Sequence, residues 1–451
     1  MKLYQSLRLE PNDIVAFIGA GGKTTAMFQL ADEIAARNQR VITTTTTRMG
    51  VWQNGNHERA PLVYDSSPDF TARLDHALGM HSHVHVVGEP DKHDPQKASG
   101  LPPSCIDGLA AQNIADAILY EADGARSLSF KAPASHEPVI ANSTTLLVPI
   151  VGVSILGQPL DDAHVHRPEI VARLSGARLG DTITPLITAR VLAHDQGGLK
   201  SKPASARAMV LINQVETASH IESARTMAQL LLGYNEIDGV AIGAAQHANH
   251  PILETHRRVA AIVMAAGAGT RMRGRIKQLL PWRGKTLIEN AIDIAVASNA
   301  SEKIVILGAH VDEIRPVIRG TLARIQINSQ WQTGHASTIR AGINALAPTI
   351  DAAIFINADQ PLLTSRVINR IMQTYFETDA SIVAPVYAGK RTSPVLFNRT
   401  HFAELLTLQN EQGGRELLSK YRDQIEFVEF DDESLSWDVD TPEEYERVSN
   451  L

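Results

Sequence analysis

VMAAGAGTRMRGRIKQLLPW, residues 263–282, sets a turn of small residues and three arginines directly after a short apolar run. Val259 to Met264 reads as a buried strand, and the turn after it, through Ala265, Ala266, Gly267 and Gly269, can curve its backbone amides around a triphosphate. Arg271 and Lys277 are spaced to neutralise the phosphate oxygens. Downstream, Asp359 ends the strand AIFINA inside ADQP, and Asp438 and Asp440 lie in WDVDTPEE ahead of a helix. Such convergent carboxylates suit magnesium, which offsets charge when an anion attacks an α-phosphate and pyrophosphate leaves.

Working outward, the stretch from Val259 repeats strand and helix: a helix near 286–298, EKIVILG at 302–308, a strand near 323–327, then ASIVAP, SPVLF, IEFVEF and the helix TPEEYERV. The polar segment 244–258 reads as a linker, so the chain divides into 1–250 and 251–451. Toward the amino terminus, DIVAFI (13–18), RVITTTT (40–46), HVHVVG (83–88), AILYEADGA (117–125), TTLLVPIVG, AMVLINQVE and GVAIGAA are strand candidates in the same alternation. Residues 50–80 read as polar and irregular, and DKHDPQKASGLPP (91–103) as surface loop. The expected fold class is α/β: two three-layer domains, an N-terminal phosphate-loop-like one and a C-terminal Rossmann-like one with a mixed sheet.

Composition sets outer bounds. The 451 residues, 44% hydrophobic and 20% charged, are those of an ordinary globular protein, and mean hydropathy is -0.09. A net charge of -7 argues against nucleic acid as a partner. No run is apolar enough for a membrane span or a targeting segment, and the one cysteine, Cys105, rules out a disulfide framework; the expected compartment is the cytoplasm.

The first half carries its own loop. Gly19, Gly21, Gly22, Lys23 and Thr24 form GxxGKT between a strand and a helix, with Phe17 where the full phosphate-loop pattern has its first glycine. Backbone amides and Lys23 would hold phosphate, and the Thr24 hydroxyl would reach magnesium. Glu121 and Asp123 end a later strand at the same crevice, and Asp123 is the metal candidate. Arg48 and Lys131 could face an anion, and NQVE at 213–216 follows a strand where a base-recognition loop would sit. His81, His83 and His85 alternate along a strand, as do His164 and His166, and read as ordinary strand residues rather than a zinc or nickel site.

IGAGGKTT, TTTTTRM, EADGARSLSFKAPASHEPVI and LINQVE resemble the accessory proteins of selenium-dependent molybdenum hydroxylases over most of 10–245. That resemblance implies a maturation role and a site that adds Arg126, Lys131, His136 and Glu137 to the loop; ATP or GTP is the nucleotide this domain could use. MAAGAGTRM, NSQWQTGHASTIRAG, NADQP and WDVDTPEE resemble the molybdenum cofactor cytidylyltransferase branch of the nucleotidyltransferases over roughly 259–448. The resemblance implies that Gly334 and Ser337 contact the nucleotide and that Arg271 and Lys277 bind its triphosphate. It also implies that Asp359 and Asp440 hold Mg2+, with Asp438 as a further carboxylate.

Ala266 stands where cytidylyl-transferring members have AAG and guanylyl-transferring ones AGG, so the implied reaction is CMP transfer from CTP to the molybdenum-bound pterin. The steric reading is that its β carbon displaces the incoming base. The chain departs from the family at GKRTSP, where Thr392 and Ser393 replace a glycine and histidine, and at GGREL, which lacks an aspartate. Alternatives are GTP as donor, another small phosphate as acceptor, or a cofactor-binding and delivery protein. The implied partners are a molybdenum hydroxylase or its maturation factors.

Overall fold

The structure, a computed structural model, describes residues 1–50, 61–90, 94 and 97–450. Residues 91–93, 95 and 96 of the surface-loop reading lie outside the described residues. The chain forms two compact units, Met1–His256 and Arg257–Leu451.

In the first unit, β1 (Asp13–Gly19), β2 (Val41–Thr45), β3 (Leu62–Val63), β4 (His83–Val87), β5 (Ala117–Glu121), β6 (Leu146–Gly152), β7 (Arg207–Asn213), β8 (Gly239–Gly243) and β9 (Ile252–His256) make one sheet, in the order β9-β8-β7-β6-β1-β5-β2-β4-β3. All neighbours are parallel except β8 and β9. Alternation along β1 explains the layers. Ile14, Ala16 and Ile18 enter one core, while Val15 and Phe17 enter the other, where α1 (Lys23–Ala35) contributes Ala26, Met27, Leu30 and Ile34. A further helix, α2 (Pro168–Ser175), contributes Val171 to the first core. Because β1 is flanked by β5 and β6 rather than by β2, its carboxyl end opens into a crevice between strands that depart in different directions.

The second unit places β10 (Val259–Ala265), β11 (Glu302–Leu307), β12 (Arg324–Ile327), β13 (Ala352–Asn357), β14 (Ile382–Tyr387), β15 (Lys390–Arg391) and β16 (Val395–Asn398) in the order β12-β11-β10-β13-β16-β14-β15, and β17 (Ile425–Phe430) pairs with β14. The sheet is mixed, because β16 runs antiparallel to both β13 and β14. Val259, Ala261, Val263 and Ala265 face one core and Ile262 and Met264 the other, so this unit is also three-layered. Two helices matter for the site: α3 (His335–Ala345) and α4 (Pro442–Ser449), the latter opened by a Thr441/Glu444 capping box.

Two local readings change. Within the 244–258 segment read as linker, residues 252–256 form β9, so the units meet at 256/257 rather than 250/251. The buried Glu254 hides the strand's alternation in sequence; it is held there by Arg225 at 2.6 Å and His256 at 2.7 Å. The 50–80 stretch contains a helix over Phe70–Met80, which buries only Phe70, Leu74 and Leu78, a stripe too thin to stand out among polar residues.

Candidate functional site

In the second unit, β10 delivers the chain to the loop at 266–269, and Gly269 turns it with φ +60°. Gln278, buried beneath, donates from Nε2 to the carbonyls of Ala265 (3.1 Å) and Gly267 (2.7 Å) and so braces the loop from inside. Gly267, in the middle of the loop, is exposed. Lys277 begins a short 3-10 turn, and its Nζ donates to Asp359 Oδ2 at 2.5 Å and to Asp440 Oδ1 at 2.7 Å. Arg271 reaches the other oxygen of Asp440 at 3.0 Å. The 438–440 segment is fastened here because the Val439 N–H donates to the Asp359 carbonyl at 2.9 Å. One ammonium therefore gathers carboxylates that lie far apart in sequence.

The electrostatics follow from this crowding. Burial pulls the Lys277 pKa down, but Asp359 and Asp440 outweigh it and leave it raised. Burial would raise Asp440, yet Lys277 and Arg271 hold it below the usual carboxylate range. Asp438 lies at the solvent-exposed rim, but protein atoms displace water around its carboxyl, and the charges of Asp359 and Asp440 add to this; together they push it up to about 7. Hydrogen-bonding capacity is left over here: among the described residues, Asp359 Oδ1 is buried with no partner, and the buried Gln360 amide makes no full hydrogen bond although it acts weakly on Asp438.

Gly334 takes φ +100°, and a Cβ there would lie 2.4 Å from the Asn410 carbonyl oxygen, so glycine is required at this approach. The Ser337 hydroxyl donates to the Gly334 carbonyl and accepts from Asn328, both at 2.8 Å, tying the start of α3 to its preceding loop. Beside it a polar cavity of about 270 Å³ is lined by Asn328, Gln330, Ser337, Arg340 and Asn344.

In the first unit, Gly19, Gly21 and Gly22 all have positive φ, between +90° and +108°. A Cβ at Gly19 would lie 2.3 Å from the Ile150 carbonyl oxygen and one at Gly21 2.3 Å from the Gly152 nitrogen, so the loop presses on the end of β6. Asn213 clamps it from the far side, with Nδ2 donating to the Gly21 carbonyl (2.7 Å) and Oδ1 accepting from the Ala245 N–H (2.8 Å). Lys23 is buried, 2.7 Å from the Gly19 carbonyl and 3.3 Å from Asp123. Thr24 donates to Glu121. Burial raises the Glu121 carboxyl and Lys23 opposes that rise.

Asp123 accepts from the Gly19 N–H at 3.1 Å and also pairs with Lys131 at 2.9 Å. Lys131 continues to Glu137 at 2.8 Å, and Arg167 grips Glu137 with both terminal nitrogens at 2.7 and 3.2 Å. Burial would raise Glu137, but Arg167 and Lys131 carry it down to about 2. Because this pKa lies below the ordinary 4.5, its stabilisation is complete above about 4.5 and fades as pH falls toward 2. The urea midpoint of Glu137→Gln should therefore lie below that of wild type at pH 6, and the gap should narrow as pH falls from about 4.5 toward 2; a gap that does not change with pH would contradict the network.

Family models match in two places: the YqeC protein model over residues 15–169 and the MobA-like NTP transferase domain model over 261–425. The uncharacterized protein YqeC of Escherichia coli is 32% identical over 240 residues, covering 53% of this chain and 90% of that protein. The chain belongs to the YqeC family. Nicotine blue oxidoreductase of Paenarthrobacter nicotinovorans is 29% identical over 199 residues, 42% of this chain and 96% of that one. Among solved structures, Rv0371c of Mycobacterium tuberculosis is 24% identical with TM-score 0.39, covering 43% of this chain and 99% of its own. Molybdopterin-guanine dinucleotide biosynthesis protein A of Archaeoglobus fulgidus is 16% identical with TM-score 0.34, covering 43% and 97%.

In the MobA-like unit the structure brings together Arg271, Lys277, Asp359 and Asp440, with Asp438 beside them. Among the described residues no three His, Cys, Asp or Glu side chains stand close enough to hold an ion by themselves. Ala266 is 2% exposed, and its methyl faces Gly308, where an added Cβ would lie 2.8 Å from it and 2.6 Å from the Trp331 Cβ. In the YqeC-family unit, Thr24 meets Glu121, whereas Asp123 is tied to two lysines. The NQVE reading changes too, because Asn213 is spent on clamping the loop. His83 Nε2 and His85 Nδ1 share the Thr43 hydroxyl at 2.8 and 2.9 Å, and burial brings His85 down to about 4.

Sequence reasoning missed Gln278 and Gln360. Neutral amides carry no spacing signal, and the position of Gln360 between an acid and a proline was its only mark.

Proposed function

We propose that the second unit transfers a nucleotidyl group from a nucleoside triphosphate to a phosphate-bearing small molecule, with CTP as donor and the molybdenum-bound pterin cofactor as acceptor. The YqeC-family unit acts as a nucleotide-dependent accessory in the maturation of a molybdenum hydroxylase. The observation that carries the transfer reading is the Lys277 ammonium between Asp359 and Asp440 at the carboxyl ends of the central strands, with Arg271 on the outer oxygen. The match to the MobA-like NTP transferase domain supports the same chemistry.

The residues fit Mg2+: Asp359 has a buried oxygen without a partner, and two carboxylates with substrate phosphates are a usual donor set for this ion. When bound, the ion would offset the charge that builds on the reacting phosphates. Arg271 and Lys277 orient the triphosphate and hold the departing pyrophosphate. An oxygen of the acceptor phosphate bonds to the α-phosphorus as the bridge to the β-phosphate breaks, and that oxygen is already ionised near neutral pH, so no protein base is needed. Ser393 accepts from Asn357 Nδ2 at 3.2 Å at the end of β13, which favours a role on the acceptor side of the Asp359 crevice.

The family match covers NTP transferases as a group. It therefore supports the broader reading, with GTP as donor or another small phosphate as acceptor, more than the cytidylyl one. Pyrophosphate release is measured with CTP and with GTP, each with the loaded pterin cofactor. Release with CTP well above that with GTP is expected. Preference for GTP would overturn the donor, and no release with any triphosphate would overturn transfer in favour of binding and delivery.

A further inference from the structure

We propose that the first unit holds a second oxyanion site beside its phosphate loop, walled by Lys131, His166, Arg167 and Arg126, which takes a small tetrahedral dianion such as phosphate. The proposal rests on the phosphate-loop reading only for what the site would serve, namely a reaction partner of the loop's nucleotide. Its own support lies in how the site is built. Phe130–Lys131 and Val165–His166 pair in parallel with His166 opposite Lys131, so the two side chains leave the same face of this small sheet. His166 is 8% exposed and its imidazole has no hydrogen-bond partner among the described residues. Its ring nitrogens are not sealed in the core, so they stay open to a ligand from solvent.

The charge around it has one sign in excess. Among the described residues, Lys131 and Arg167 pair with Glu137 and Asp123, Asp123 is already shared with Lys23, and Arg126 and Lys200 add two further cations. Lys131 has spent its three N–H groups on Gly124, Asp123 and Glu137, so it offers charge rather than a free donor. Free donors come from the His166 ring and from Arg126, whose guanidinium makes no hydrogen bond or ion pair among the described residues. After burial, the charges of Arg167, Lys131 and Arg126 depress the His166 pKa, the direction that an arriving anion would reverse. Arg126, Ser127 and Arg167 all hold positive φ, at +48°, +60° and +68°, so the backbone is strained where these donors project. The site is continuous with the loop through a single residue, since Asp123 bridges Lys23 and Lys131.

The test is calorimetric titration of the full chain with inorganic phosphate, comparing wild type with Lys23→Ala, Arg126→Ala and His166→Gln. Wild type is expected to take two phosphates and Lys23→Ala one. Adding Arg126→Ala or His166→Gln to Lys23→Ala should weaken that remaining phosphate about tenfold, the loss of one charge-assisted hydrogen bond. Arg126 is exposed, so its variant keeps the result readable if the buried His166 variant fails to fold. A single phosphate on wild type, unchanged by both second-site variants, would overturn the second site. Two phosphates retained by Lys23→Ala would instead overturn the loop. Sulfate should compete with the second phosphate and acetate should not; equal competition by acetate would overturn the tetrahedral assignment.

Discussion

Asp359→Asn is expected to slow nucleotidyl transfer about a thousandfold, the scale of losing one preorganised electrostatic contact to a transition state. The change removes the charge that Lys277 meets at 2.5 Å and the anionic character of the buried Oδ1, which has no partner among the described residues. It leaves the backbone carbonyl that accepts from Val439, so the 438–440 segment should stay in place. The loss should therefore fall on kcat of pyrophosphate release, with an unchanged thermal transition. A variant that keeps near wild-type turnover would remove Asp359 from the chemistry.

Gly21→Ala is expected to abolish nucleotide binding by the first unit and to lower its stability by several kcal/mol. The left-handed conformation at φ +93° costs a side chain about 1–3 kcal/mol, and forcing a methyl to 2.3 Å from the Gly152 nitrogen adds about as much again. Gly124→Ala is the control, because a Cβ there meets nothing within 4 Å and φ is not in the left-handed range. The two are compared by equilibrium nucleotide binding and by hydrogen exchange over residues 13–35. Equal behaviour of the two variants would mean that the loop can shift away from β6 without consequence.

The fold was largely legible because its strands are buried on both faces and read as continuous apolar runs between helices. DIVAFI and VAAIVMA each feed two cores by simple alternation. Edge elements were less visible. The strand over Ile252–His256 contains a buried Glu254 and His256 whose mutual pairing cannot be read from five letters. In the second unit, every charged member of the candidate site was named in sequence, because charge at strand ends is conspicuous. The neutral supports were not: Gln278 under the loop acts through hydrogen bonds and Gln360 beside Asp359 holds unspent hydrogen-bonding capacity, both of which depend on burial, and burial is a property of the fold.

In the first unit the sequence places Lys23, Thr24, Glu121 and Asp123 at one crevice but cannot tell which acid meets which partner. The structure sends Thr24 to Glu121 and Asp123 to the lysines, because Asp123 lies two residues farther along and folds back onto the Gly19 amide. Ala266 shows the opposite limit. Its place in a motif suggested contact with the base, yet the turn after β10 directs its methyl inward against Gly308.

A crystal structure of the chain with CTP and Mg2+ would show whether the carboxylate and lysine cluster of the second unit is a nucleotidyl-transfer site. The triphosphate is expected on the 266–269 loop, with Lys277 released from the carboxylates to the phosphates, Arg271 beside it, and the ion on Asp359 and Asp440. A triphosphate bound elsewhere in the second unit, with Lys277 still locked between Asp359 and Asp440, would contradict it.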